Sequence, residues 1–227
     1  MASMRDLKGR IGSVASSEKI TGAMKMISSA KMHKADMALR RVRPFRDQIQ
    51  RTINHLISAD AEYSSPLTEA RPVKRRAVVL LSSDEGLCGA FNMNLFKRTL
   101  ELINRGREEA GNSVMFVVYP VGKKASQFAR KLVGKGVEIA VVDYMTAKSS
   151  GEEIARFTSE LTRDFLAGKI DEIEVVYTHY KSASKQLLAT RKLLPISAGD
   201  LVTGEKVERN KPYLFEPDVN TIYNEVL

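Results

Sequence analysis

The chain reads as an α/β protein in which a long basic helix precedes a mostly parallel, doubly wound α/β domain. Three observations carry that reading. The first 56 residues contain no proline before Pro44 and glycine only at Gly9, Gly12 and Gly22, with Ala, Met, Lys and Arg prominent, as one uninterrupted helix requires. From residue 76 onward, continuous apolar runs alternate with amphipathic stretches, the pattern of strands buried on both faces beneath helices. Between these parts, Ser64–Val73 carries Pro66 and Pro72 and serves as a linker. The expected division is a helix over 1–58, an α/β domain over 72–216 and the start of another helix over 217–227.

The N-terminal helix is expected from about Met4 to Leu56, far longer than a small domain is wide. In its second half Ala38, Val42, Phe45, Ile49, Ile53 and Leu56 recur at steps of 4, 3, 4, 4 and 3, one apolar stripe that gives this half a packing face. Around Gly22, Ala23, Ser28, Ser29 and Ala30 the side chains are small, with Met24, Met26, Met32 and Met37 interleaved. Small residues admit a close neighbour and methionine adapts to irregular surfaces, so this stretch is expected to touch a partner; ordinary core methionines are the plainer alternative.

In the α/β part, strands are expected at Arg76–Leu81, Val114–Tyr119, Val137–Val142 and Ile173–Thr178, and helices at Phe91–Glu109, Lys123–Leu132 and Gly151–Leu166. Arg191–Ile196 and Pro212–Phe215 are expected as edge strands. Asp218 is placed to cap a final short helix.

Charge is concentrated. Twelve Lys and Arg among the first 51 residues face four Asp and Glu, a net +8 of the chain's +9. The basic character thus belongs to one element, and nucleic acid, anionic lipid or an acidic protein surface could each answer it. Nucleic-acid binding is the competing reading. Against it, the first 44 residues hold no Phe, Tyr, Trp, Asn or Gln to reach bases, although charge alone supports non-specific backbone binding.

Nothing in the chain looks like an active site. The turn Ser82-Ser83-Asp84-Glu85-Gly86-Leu87-Cys88-Gly89-Ala90-Phe91-Asn92 follows the first strand, where a doubly wound fold would cradle a phosphate. Its glycines do not form G-x-G-x-x-G, no G-x-x-x-x-G-K-[ST] occurs, and Asp84 and Glu85 would repel a phosphate. Glycines serving a tight turn are the simpler explanation. Cys88, the single cysteine, excludes an internal disulfide and has no histidine near it in sequence to act as base; a buried or half-buried structural thiol is expected. No Cys/His spacing suggests a metal site, no cofactor is implied, and no apolar run is long enough to span a bilayer.

Three separated motifs resemble one family in order and in register. Met4-Arg5-Asp6-Leu7-Lys8-Gly9-Arg10-Ile11-Gly12-Ser13-Val14 with Lys19-Ile20-Thr21-Gly22-Ala23-Met24-Lys25-Met26-Ile27-Ser28-Ser29-Ala30-Lys31-Met32 resembles the N-terminal helix of the gamma subunit of F-type ATP synthases. The Ser83–Asn92 turn and Tyr213-Leu214-Phe215-Glu216-Pro217-Asp218 resemble the same family. The resemblance implies a non-catalytic central rotor shaft: two long helices wound as an antiparallel coiled coil inside a ring of alpha and beta subunits, with an α/β domain at the foot on a membrane ring. Carried onto this sequence, it implies that Lys19, Met24, Lys25 and Lys31 face the beta-subunit levers. Asp84, Glu85 and Cys88 would face the lower rim of the head, and Tyr213, Phe215 and Glu216 the polar loops of the membrane c-subunit ring. The implied partners also include the epsilon subunit and exclude nucleic acid, and the implied setting is the cytoplasmic face of a bacterial inner membrane. Family members continue past Glu216-Pro217-Asp218 into a second long helix. Here the sequence stops at Leu227, so the expectation is a shortened chain from which the coiled coil cannot form alone.

Overall fold

In the computed structural model of the chain, residues 3–58, 64–110, 113–134, 136–197 and 216–226 are described, and the chain divides into two compact units after Leu56.

The first unit is helical. α1 runs Met4–Ser58. Its start is capped reciprocally: the Ser3 amide donates to Asp6 Oδ2 at 3.1 Å and the Asp6 amide to Ser3 Oγ at 3.4 Å. Arg40 and Asp36 form an i,i+4 ion pair at 2.8 Å on an exposed face. Pro44 lies inside the helix and leaves the carbonyl four residues back without its amide donor. Every residue from Ser3 to Ala35 is exposed. Of the predicted stripe, Val42 and Phe45 are exposed, Phe45 at 69%, and only Ile53 and Leu56 in the last turns are buried.

The second unit is built on a five-stranded sheet in the order β3-β2-β1-β4-β5. β1 is Arg75–Leu81, β2 Met115–Val121, β3 Val137–Ile139, β4 Glu172–Tyr180 and β5 Gln186–Leu194. β1 pairs in parallel with β2 and β4, β2 in parallel with β3, and only the edge strand β5 runs antiparallel, against β4. The helices are α2 (Phe91–Ala110), α3 (Lys123–Ala129), α4 (Gly151–Leu166) and α5 (Val219–Val226).

Alternation along β1 explains the layering. Val78 and Leu80 join Leu95, Leu102, Ile103, Phe116, Ala125 and Ala129 in one apolar cluster, which places α2 and α3 on one face. Ala77 and Val79 join Phe157, Leu161, Phe165 and Ile173 in another, with α4 on the opposite face. α4 starts where its sequence says it should: Ser150 Oγ accepts from the Glu153 amide at 3.2 Å, and Glu153 Oε2 accepts from the Ser150 amide at 2.7 Å.

Two strands differ from expectation by more than two residues at one end. β3 stops at Ile139, because Val142 and Met145 leave the sheet to fill the α4-side cluster. β5 begins at Gln186, extended from Arg191 by a tight turn in which the Lys185 amide donates to the Ser182 carbonyl at 3.2 Å. The predicted strand at Pro212–Phe215 lies outside the described residues.

Charged side chains gather where β1 and β4 begin. Arg76 pairs with Glu172 at 2.7 Å and approaches Glu174 at 3.8 Å, and Lys192 of β5 reaches Glu172 at 2.6 Å. Asp171 accepts from the Lys74 and Arg75 amides, both at 2.9 Å, and pairs with Arg71 at 2.8 Å. Burial pushes the Asp171 carboxyl up, but those amides and the Arg71 guanidinium outweigh it and hold it below the usual carboxylate range.

Candidate partner-contact site

The turn between β1 and α2 is fastened to its neighbours at several points. The Ser82 amide donates to the Val121 carbonyl at 2.9 Å, and Ser82 Oγ accepts from the Ala125 amide at 2.7 Å. Ser83 is held from both sides: its carbonyl accepts from the Lys124 amide at 3.2 Å, and its amide donates to Asn92 Oδ1 at 3.2 Å. Gly122 allows this closeness, since at its φ of +95° a Cβ would come within 2.7 Å of the Ser82 carbonyl oxygen.

Asp84 adds the widest clamp. Its Oδ1 accepts from the Lys123 amide at 3.1 Å and its Oδ2 from the Ala147 amide at 3.2 Å, so one carboxylate joins the turn to the start of α3 and to the loop ahead of α4. Both carboxylate oxygens are engaged by backbone, in the position where the sequence places repulsion of a phosphate.

Beyond the clamp the chain is open to solvent. Glu85, Gly86, Leu87, Cys88 and Gly89 are all exposed. The expectation of a buried or half-buried Cys88 is corrected: the thiol is exposed, and its sulfur accepts from Asn92 Nδ2 at 3.2 Å. The physical reason is that the tip lies past the ends of the strands, where neither apolar cluster extends. Leu87 is 93% exposed and sits at φ +57°, among the described residues the one non-glycine with positive φ. A left-handed leucine costs on the order of 1–2 kcal/mol. Sequence reasoning passes over Leu87, although a large apolar residue between Gly86 and Gly89 in a tight turn is a visible signal.

In α1, Lys19, Met24, Lys25 and Lys31 are all exposed. Ile20, Met24, Ile27 and Lys31, at steps of 4, 3 and 4, share one side of the helix. These residues belong to the first unit, and the turn residues Asp84, Glu85 and Cys88 to the second.

Of the third group, Tyr213 and Phe215 lie outside the described residues, and Glu216 is exposed. Two residues on, Asp218 caps α5: its Oδ1 accepts from the Thr221 amide at 2.9 Å and its Oδ2 from the Thr221 hydroxyl at 2.6 Å. Those donors hold the Asp218 carboxyl below its ordinary range. Among the described residues no group of three or more His, Cys, Asp and Glu is placed to hold a metal ion, and no helix is long and apolar enough to cross a membrane.

Comparison with known proteins gives a consistent result. The family model described as ATP synthase matches residues 3–227. The chain is 36% identical over 231 residues to the ATP synthase gamma chain of Phocaeicola vulgatus, covering all of this chain and 77% of that protein. It is 38% identical over 222 residues to the gamma chain of Bacteroides fragilis, covering 96% and 74%. Among solved structures, the central stalk and c-ring of the Tetrahymena thermophila mitochondrial ATP synthase gives a TM-score of 0.56 at 20% identity, covering 91% of this chain and 84% of that one. The rotor of the Euglena gracilis enzyme gives 0.51 at 17% identity, covering 98% and 80%. At such identities these structures speak for the fold alone, whereas the family model and the curated relatives speak for descent. The chain belongs to the ATP synthase gamma-chain family.

Proposed function

We propose that this chain is a central-stalk rotor subunit, which transmits torque between a membrane ion-driven ring and the catalytic alpha and beta subunits. The observation that carries the reading is the match to gamma chains along the whole chain, 36% identical to the Phocaeicola vulgatus protein. The exposed basic stretch Lys19–Met32 supports it, since a shaft must present a face that many partners meet in turn and none holds.

In this reading the chain performs no catalysis. It acts by asymmetry: one shaft makes three otherwise equivalent beta subunits differ in nucleotide affinity, and turning it cycles those affinities. Lys19, Met24, Lys25 and Lys31 meet the beta subunits, and the Asp84–Cys88 turn meets the lower rim of the head. Tyr213, Phe215 and Glu216 meet the c-subunit ring, with the epsilon subunit as a further rotor partner. The complex is peripheral, on the cytoplasmic face of a bacterial inner membrane. Nucleic-acid binding finds no support in the family match.

Co-assembly tests the proposal. Mixed with alpha and beta subunits, the chain should enter a stoichiometric complex whose ATP hydrolysis depends on it. A chain that stays separate from the head, or that elutes instead with nucleic acid, overturns the reading.

A further inference from the structure

We infer that Leu87 is the apolar residue by which the β1–α2 turn engages the head, and that Asp84 is a positioning residue acting through it rather than a contact. The inference rests on the head-facing reading of this turn and assigns its residues differently. Leu87 is 93% exposed and held at φ +57°, so it gains no burial within the chain and adopts a backbone conformation leucine disfavours. Such a geometry persists when its surroundings over-determine it, and strain of this kind gathers at functional positions. The surroundings here do so: Ser82, Ser83 and Asp84 fix the turn to the Lys123–Ala125 backbone and to Ala147, and Asn92 ties Ser83 to Cys88.

Each Asp84 oxygen already accepts a backbone hydrogen bond, so the carboxylate is turned toward the chain and half of its acceptor capacity is taken up there. What the clamp presents is the tip beyond it. The matching partner feature is an apolar pocket that accepts one branched aliphatic side chain at an otherwise polar rim.

Cys88, adjacent to Leu87 and the only cysteine, provides the probe. Maleimide labelling of Cys88 is followed in the free chain and in its complex with alpha and beta subunits, for wild type, Leu87→Ala, Leu87→Met, Asp84→Ala and the Asp84→Ala/Leu87→Ala double variant. In the wild-type complex labelling should slow at least tenfold relative to the free chain. Leu87→Ala and Asp84→Ala should each abolish most of that protection, Leu87→Met should keep it, and the double variant should label no faster than the worse single one, since residues acting through one contact are not additive. An unprotected wild type overturns the head-facing reading and the inference with it. A protected wild type that stays protected with alanine at 87, or single effects that add in the double variant, overturns the inference alone. Thermal unfolding of free Leu87→Ala, expected unchanged, separates lost contact from lost fold.

Discussion

Arg76 and Glu172 are ion-paired at 2.7 Å across β1 and β4 with side chains only 14% and 8% exposed. Removing Arg76 takes the shared cation from two buried carboxylates, Glu172 and Glu174, and leaves Lys192 on Glu172 from the more exposed side. Arg76→Met should therefore lower unfolding free energy by about 3 kcal/mol. Lys192, which meets Glu172 from the more exposed side, should cost about 1 kcal/mol or less as Lys192→Ala. Urea denaturation of the two variants compares them directly.

Gly106 lies inside α2, where alanine normally adds about 1 kcal/mol of helix stability. Here a Cβ would meet Phe116 Cζ at 2.7 Å and Arg76 Nη1 at 3.0 Å, and the Phe116 ring is fully buried. Overpacking costs roughly 1–3 kcal/mol. Gly106→Ala should thus lower the melting temperature, the reverse of the usual sign.

Two buried carboxylates should show opposite pH dependence. Burial pushes the Glu174 carboxyl up, with the Arg76 charge opposing and the Glu172 charge reinforcing. A raised acid binds its proton more tightly folded than unfolded, so its contribution falls as pH rises from 4.5 through its folded value. Glu174→Gln should be more stable than wild type at neutral pH, and the gap should close in acid. Asp171 is held low, so its contribution is present above 3.8 and is lost as pH falls through its folded value. Asp171→Asn should lose stability at neutral pH and approach wild type in acid. Denaturation at a series of pH values reads both.

Hydrogen exchange should separate α1 from the sheet. Amides around Lys19–Met32 lie on a helix whose residues 3–35 are all exposed, whereas β1 is hydrogen-bonded on both edges and buried from Ala77 to Leu80. In the dilute chain the helix amides should exchange roughly a hundredfold faster or more. Equal protection would mean that α1 is covered in solution by another surface.

Elements whose signals are local are legible in the sequence. The bounds of α4 can be read because Ser150 and Glu153 form a capping box and Phe157, Leu161 and Phe165 keep a helical period. β1 is legible because a strand buried on both faces reads as an unbroken apolar run, and β4 because Ile173, Val175, Val176 and Tyr177 keep strand-forming content despite Glu174. β5 reads short because an edge strand exposed on both sides has no such run, and its start depends on a turn rather than on burial. β3 reads long because Val142 is apolar for a helix-facing cluster and not for the sheet. At the candidate site the turn itself is legible, but the division of labour within it is not. Which of Asp84, Leu87 and Cys88 faces inward depends on amides of Lys123 and Ala147, which lie 39 and 63 residues away in sequence.

The Asp84 clamp also changes what the carboxyl-end edge of this sheet is for. In a doubly wound fold that edge is where a mobile anion comes and goes. Here the anion is tethered to the chain, and a tethered group competes at an effective concentration that free phosphate in solution does not match. With the carboxylate supplied by the chain itself, the edge holds its anion without any ligand having to bind or leave. It reports position only, and a component whose task is to pass on an angle gains from having nothing there to dissociate.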